Sequence, residues 1–213
     1  MRTRPCTFAT LFGTLAAWSL SAPAGDATRL PGISTAAGPH PTAAVLALAY
    51  TPDGRLKFPQ AYREWVYLSS GLDMSYRKGA GADGQSVFDN VFASPAAYRE
   101  FLSTGTWPDG TLLVLEQRGA QEKGSINQSG RFQSGDPLGV EVHVKDTQRF
   151  PGGWAFFEFA GTGPGVLLPP AAECYACHRE HGVVDTTFVQ FYPTLLKIAK
   201  ERGTVRAEPA AAH

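Results

Sequence analysis

The sequence predicts an α+β fold, a predominantly antiparallel β-sheet with peripheral helices. Val140, Val142 and Val144 alternate with polar residues, which is the period of a strand with two unlike faces. The aromatic-rich run 154–159 follows after a turn at 146–153, so the two segments predict an antiparallel hairpin. Helical signals are confined to short stretches such as 95–104, which gives the α+β class.

Five elements are predicted before this hairpin, and the first four lie between residues 58 and 104. Ser94 has the chemistry of a helix N-cap, Pro95 suits the first helical position, and Gly105 suits the residue after a helix end. The predicted elements are a short helix at 58–65, strands at 66–72 and 87–93, and a helix at 95–104.

A third strand is predicted at 111–118, where apolar residues are frequent. Residues 119–135 are rich in glycine and polar side chains and predict a long loop. In the valine strand that follows, the alternation places His143 on the polar, solvated face.

The C-terminal part predicts a Gly/Pro loop at 161–170, a short helix, and a final helix at 186–202. Asp185 is the expected N-cap of the final helix and Gly203 its stop. Pro193 falls inside this helix and is expected to kink or restart it.

The first 24 residues predict a secretory signal peptide. Arg2 and Arg4 precede an apolar run at 8–20, and small residues at 22–24 suit cleavage. An uncleaved membrane anchor is the alternative. Residues 25–45 then predict a flexible leader, 46–203 the folded domain, and 204–213 a flexible tail.

Charge and hydropathy exclude some partners. The chain carries 19 basic and 19 acidic side chains, so no net positive charge favours nucleic acid. We expect no membrane span in the mature chain, because no second long apolar run follows the N-terminal one.

The most specific motif is Cys174-Tyr175-Ala176-Cys177-His178, the Cys-x-x-Cys-His attachment pattern of a c-type haem. The pattern predicts one haem c, with Cys174 and Cys177 as its thioether bonds and His178 as the iron ligand. A redox dithiol and half of a zinc site are the alternatives. Haem attachment after export predicts a periplasmic protein.

A sixth iron ligand is not evident from the sequence. Met74 is the one methionine outside the signal peptide, and it lies far before the motif. His181 is too close to His178 to reach the opposite face of the iron, so we expect it at the surface or near a propionate. These positions predict five-coordinate iron with an open site for an exogenous ligand.

Four segments together resemble the cytochrome P460 family, which includes hydroxylamine-oxidising cytochromes P460 and cytochromes c′-beta. The segments are Tyr62-Arg63-Glu64-Trp65, the stretch Trp107-Pro108-Asp109-Gly110-Thr111, the run from Asp146 to Phe156, and Cys174–His178 with the following 185–193. The resemblance covers about 49–203. It implies a periplasmic mono-haem protein with a largely antiparallel β fold, a homodimer, and five-coordinate haem.

One departure from the family bears on function. In the hydroxylamine-oxidising branch, the strand that corresponds to 110–116 carries a lysine bonded to the haem, and here Leu115 stands in its place. The branch's distal arginine corresponds to Asp89, which is either a distal acid or a solvated residue at a strand end. If another lysine formed the cross-link, the candidate is Lys78, which lies before the Leu115 strand. Glu116 is expected to point to the opposite face from Leu115 and to have a structural role.

The remaining candidates concern the distal face of the haem and its propionates. Phe88, Phe92 and Phe132 are candidates to cap the distal face, and Arg131 and Arg149 are candidate propionate partners. The leading hypothesis is a c′-beta type protein that binds nitric oxide and carbon monoxide, for nitric oxide binding or detoxification. Hydroxylamine oxidation, or nitric oxide oxidation, is the alternative, and one-electron transfer is a lesser one. The electron donor is unknown.

Overall fold

The computed structural model describes residues 48–74 and 85–206, and a six-stranded antiparallel sheet organises them. The strands are β1 (Val66–Leu72), β2 (Val87–Ala93), β3 (Leu112–Gln121), β4 (Phe132–Lys145), β5 (Trp154–Phe159) and β6 (Val166–Leu167). Each strand pairs with the next one in the chain, so the sheet order is the sequence order. The predicted α+β class is confirmed.

Three α-helices accompany the sheet. They are α1 (Pro95–Thr104), α2 (Glu173–His181) and α3 (Pro193–Arg202), and short 3-10 turns lie at Tyr62–Glu64 and Val189–Phe191. Gly105 ends α1 at φ 77°, a left-handed conformation that favours glycine, as the sequence predicts. Within the described residues, no helix has both the length and the apolar character needed to cross a membrane.

Ser94 occupies the predicted N-cap position of α1 but does not cap the helix through its side chain, and the predicted cap at Asp185 is wrong. The Ser94 hydroxyl makes no capping bond to α1 and instead lies 3.5 Å from the backbone N–H of Leu112 in β3. Asp185 does not start a helix, because it adopts φ 53° in a turn. The last helix therefore begins at Pro193, which restarts the chain after the 3-10 turn.

The predicted loop at 119–135 is wrong at its two ends, where strand residues stand, and is confirmed over 122–131. Strand β3 continues to Gln121, β4 begins at Phe132, and the pairing runs through Gly119 opposite Ser134. Ladder hydrogen bonds need only backbone groups, so this outer part of the hairpin forms despite its polar side chains. The side chains there do not alternate between apolar and polar, because neither face of the outer hairpin packs against the core, and the sequence therefore predicted a loop.

The apolar core lies on both faces of the sheet. On one face, Val142 and Val144 pack with Phe157 in a cluster that includes Leu56 and Tyr62. On the other face, the helices pack against the sheet in a second buried cluster, which includes Phe101, Trp107, Leu113, Trp154, Val184, Leu195 and Ala199. The helices therefore cover one side of the sheet, and the cavity described below lies on that side.

Glu116 joins β3 to the start of the domain. Its side chain is 3% exposed and accepts hydrogen bonds from Tyr62 and from Arg118 at 2.5 Å, with Arg63 Nη2 at 2.6 Å. Burial alone would raise the pKa of Glu116, but the bonds from Arg118, Tyr62 and Arg63 outweigh it and hold the pKa below 4.5. The expected structural role of Glu116 is consistent with these contacts.

Replacing Glu116 by glutamine should lower the free energy of unfolding by about 2–3 kcal/mol near neutral pH, because charge-assisted bonds to two arginines are lost. The depressed pKa means that the wild-type carboxylate stabilises the fold above the ordinary value of 4.5 and loses that effect as the pH falls through the folded-state pKa. The difference between the two proteins should therefore shrink when the pH is lowered from 7 to well below 4.5, as measured by urea unfolding at the two pH values.

Glu64→Gln is the matched control, since Glu64 is an exposed glutamate at the same 3-10 turn. The control should unfold like the wild type at both pH values. An E116Q protein as stable as the control near pH 7 would contradict the role assigned to the carboxylate.

Candidate functional site

A cavity of about 280 Å³ opens on the helical side of the sheet. Its floor consists of alternate residues on neighbouring strands, because residues i and i+2 of a strand share a face. The strand residues that line it include Ser69, Gly71, Asp89, Val91, Leu113, Leu115, Gln117, Glu141, His143 and Phe156. The opposite wall comprises His178, Thr187, Phe188, Phe191 and Tyr192.

The Cys-x-x-Cys-His motif lies within α2, beside this cavity. Cys177 and His178 follow Cys174 by three and four residues, so the helix presents all three on one side. Tyr175 fastens the helix to the sheet, since its hydroxyl lies 3.3 Å from the backbone N–H of Phe156 and 3.2 Å from the Leu168 carbonyl.

The two thiols are separate and half-buried. Burial, with a contribution from Glu141, raises the pKa of the Cys174 thiol. Burial and Glu180 raise the pKa of Cys177. Reactive dithiols need a lowered thiol pKa, so these surroundings disfavour a redox dithiol.

His178 is held in one orientation by the backbone. Its Nδ1 lies 2.8 Å from the Thr186 carbonyl, which can only accept, so Nδ1 carries the proton. Burial lowers the pKa of His178 to about 4, against a smaller opposing effect of the Thr186 bond. The imidazole is therefore neutral near pH 7 and has Nε2 as its lone-pair nitrogen, the form in which histidine binds a metal.

Residues 182–187 form the tight turn that supplies this carbonyl. A Cβ on Gly182 would lie 2.7 Å from both the Thr186 carbonyl carbon and the Thr187 nitrogen, so only glycine fits there. The Thr187 hydroxyl receives a hydrogen bond from Trp107 Nε1 at 2.9 Å and donates to the Val184 carbonyl at 2.7 Å. Sequence reasoning missed this turn.

His143 is buried, which corrects its predicted place on a solvated face. It is 7% exposed and stacks on Phe156 with ring centroids 4.0 Å apart and an interplanar angle of 10°. Burial, followed by the nearby His178, holds the pKa of His143 well below 6.5. The face of β4 opposite the valines is therefore the cavity face. The alternation correctly predicted that His143 lies on this face, but not that the face is buried.

Of the distal candidates, Leu115 and Asp89 line the cavity. Phe88, Phe92 and Phe132 are not among its lining residues, so the structure does not bring these three candidates to the cavity. Phe88 and Phe92 have the opposite strand parity to Asp89, and Phe92 packs against Tyr62 on the other side of the sheet. Phe132 lies at the outer end of the hairpin and is 37% exposed.

Two carboxyl groups line the cavity. Asp89 accepts a hydrogen bond from Gln117 Nε2 at 3.0 Å, and its pKa is raised mainly by burial. Burial, then Glu158 and Asp89, raises the pKa of Glu141. The expectation that Asp89 is a solvated strand-end residue is wrong. Glu141 was missed, although the alternation with the valines puts it on the same strand face as His143; the structure pairs it with Leu115.

The candidate propionate partners do not line the cavity. Arg131 pairs with Asp73 at 2.9 Å and Glu122 at 2.7 Å near the hairpin end. Arg149 lies over the Tyr50 ring, with Cζ 4.1 Å from its centroid. The structure brings neither arginine to the site, and both are engaged in contacts of their own.

Three further candidates concern additional bonds to the haem. Met74 lines the cavity and is 38% exposed. The His181 side chain is 51% exposed and lies 3.9 Å from Glu180, which agrees with the surface position expected for it. Lys78 lies outside the described residues.

The residues at the cavity fit a covalently attached haem. Two separate thiols and a neutral imidazole share one helix side, the wall beside them is aromatic, and the floor carries Leu113, Leu115 and Val91. Within residues 48–74 and 85–206, no cluster of three or more His, Cys, Asp or Glu side chains is arranged to bind a bare metal ion.

Comparison with curated proteins gave no match. The family described as Cytochrome P460 matches residues 59–189, which is more than half of the chain. The matched range contains all six strands, the Cys-x-x-Cys-His helix and the turn that holds His178. The resemblance predicted from the four sequence segments is confirmed, and the chain belongs to the cytochrome P460 family.

Proposed function

We propose that the protein is a periplasmic mono-haem protein with five-coordinate iron that binds nitric oxide and carbon monoxide, in the manner of a cytochrome c′-beta. Family membership implies a haem cofactor. Haem iron supplies an open coordination position for a diatomic ligand. The observation that carries the proposal is Leu115, an apolar side chain in the cavity at the position of the cross-linking lysine.

The holding residues are those of the motif. Cys174 and Cys177 would form the two thioether bonds, and His178 would donate Nε2 to the iron. The Thr186 carbonyl keeps the Nδ1 proton of His178 in place, so that Nε2 has its lone pair available. In the folded protein, the Tyr175 bonds keep α2 against β5, so that the motif lies beside the cavity.

Leu115 supports the choice of ligand. A leucine side chain offers no charge and no hydrogen bond, and with Leu113 and Val91 it forms an apolar part of a cavity floor that also carries Asp89 and Glu141. Charged or strongly hydrogen-bonding ligands would lose hydration there without compensation. Nitric oxide and carbon monoxide are nearly apolar and lose little, so the floor discriminates in their favour.

The setting of the protein follows from the same proposal. The N-terminal pattern of residues 1–24 and the attachment motif together favour export to the periplasm. We propose a homodimer on the grounds of the family resemblance. The role would be nitric oxide binding or detoxification, with the reductant unidentified.

Hydroxylamine oxidation is the second candidate, and the two carboxyl groups favour it. Oxidation of hydroxylamine releases protons, and Asp89 and Glu141 line the cavity as acceptors. A lysine cross-link would have to come from Lys78, because Leu115 cannot form the bond. One-electron transfer is the lesser candidate, and Met74 favours it because a thioether at the cavity could serve as a sixth ligand.

The optical spectrum of the ferrous protein separates these functions. We expect an ordinary high-spin c-type Soret band that changes on adding nitric oxide or carbon monoxide, because the iron has an open position. Proteolysis should leave the haem on one peptide only. A strongly red-shifted band with a second attached peptide would identify a lysine cross-link, and a low-spin spectrum that M74A converts to high spin would identify an electron carrier.

Leu115→Lys should weaken carbon monoxide binding about tenfold, because an ammonium group holds water that the ligand must displace. Leu115→Met is the matched control, since it keeps an apolar side chain of similar volume and should bind within about twofold of the wild type. Carbon monoxide titration of the ferrous proteins measures both. Equal weakening by lysine and methionine would show that polarity at this position does not select the ligand.

Asp89→Asn tests the second candidate. If the protein oxidises hydroxylamine with Asp89 as the proton acceptor, the amide should lower the rate roughly a hundredfold, because it cannot take a proton. Carbon monoxide affinity should be unchanged. If the wild type does not oxidise hydroxylamine at all, the enzymatic alternative is refuted; a full rate in D89N would refute only the role of Asp89.

A further inference from the structure

His143 is enclosed by aromatic rings, one of which is the candidate iron ligand. It stacks on Phe156 and lies at a tilt against Trp154, with ring centroids 4.3 Å apart. The rings of His143 and His178 meet edge to face, with centroids 4.9 Å apart and an interplanar angle of 77°. His143 therefore limits rotation of the His178 ring from the sheet side, and Phe188 packs against His178 at 4.1 Å.

His143 also reaches the hydrogen bond that fixes His178. Its Nε2 lies 3.4 Å from the Thr186 hydroxyl, and the carbonyl of the same Thr186 receives the His178 Nδ1 proton at 2.8 Å. Thr186 is thus held through its side chain by β4 while its backbone holds the imidazole. A phenylalanine at 143 would fill the same space but could not make the first of these contacts.

A second residue on the same face of β4 holds the same turn. Lys145 is two residues after His143, and its Nζ lies 3.1 Å from Asp185 Oδ2 and 2.7 Å from the Trp107 carbonyl. Trp107 in turn donates to Thr187. Successive cavity-side residues of β4 therefore fix residues 185 and 186, which sit beside the α2 helix but are not part of it.

We propose that His143 is a positioning residue for the iron ligand: through the Thr186 hydroxyl it keeps the Thr186 carbonyl on Nδ1 of His178, and so sets the donor strength of Nε2. The proposal rests on the assignment of His178 as the iron ligand made above. A hydrogen bond from Nδ1–H to an acceptor makes a histidine ligand more basic, which stabilises the ferric form relative to the ferrous form. His143 would thereby lower the reduction potential without touching the metal.

The test compares two variants that break the link with two that keep it. His143→Phe keeps the ring stack and Thr186→Val keeps the backbone carbonyl, but each removes the contact between Nε2 and the hydroxyl. His143→Gln places an amide near the Nε2 position, and Thr186→Ser retains the hydroxyl, so these are the matched controls. The readouts are the midpoint potential and the iron–histidine stretching frequency of the ferrous protein.

We expect H143F and T186V each to raise the potential by about 59 mV, equivalent to a tenfold change in the ferric-to-ferrous ratio. Both should lower the stretching frequency. The double variant should shift no further than either single variant, because both break one link. H143Q and T186S should stay near the wild type.

The outcomes separate this proposal from the one on which it rests. A wild-type protein without an iron–histidine stretch would overturn the assignment of His178 and this proposal with it. If the wild type has the stretch and T186V leaves both readouts unchanged, the positioning role alone is wrong. Should H143F not fold, T186V and T186S carry the same comparison, since neither alters the aromatic stack.

Discussion

The bond between the Thr186 carbonyl and Nδ1 of His178 is the interaction on which the site depends. A free imidazole exchanges its proton between two nitrogens, and a metal ligand must present the unprotonated one. An acceptor 2.8 Å from Nδ1 fixes that choice, and burial keeps the ring neutral. The elements around His178 keep this acceptor carbonyl in place. Helix α2 supplies the imidazole, the turn after it supplies the carbonyl, and β4 and Trp107 fix the turn.

The sheet separates two kinds of environment by strand parity alone. Leu115 faces the cavity, and Glu116, one residue later, faces away from it into a network with Tyr62 and two arginines. A buried ionised carboxylate needs several donors, and the cavity floor offers few. Alternation therefore keeps the strongest charge pairing near the site on the far side of the backbone, and the cavity side can remain mostly apolar.

Short-range sequence signals correctly predicted the features that depend on neighbouring residues in the chain. The bounds of α1 and β2 follow from Pro95, Gly105 and the apolar pattern, and the motif placed three site residues on one helix. The errors arise where distant contacts decide. His143 looks solvated from its own strand because Phe156 and His178 cover it only in the folded chain. The Gly182 turn carries no distinctive sequence pattern, and aromatic identity alone does not say which sheet face a phenylalanine occupies.

The order of the strands bears on how a haem would reach the thiols that we propose hold it. Each strand pairs with its neighbour in the chain, and pairings of low sequence separation form quickly. The helix with Cys174 and Cys177 comes after the last strand, and Tyr175 anchors it to β5. A sheet built in this order can close while the C-terminal segment is still undocked. Under the proposed attachment, the thiols would then stay within reach of an attachment machinery, and docking of α2 would carry the attached haem onto a preformed cavity floor.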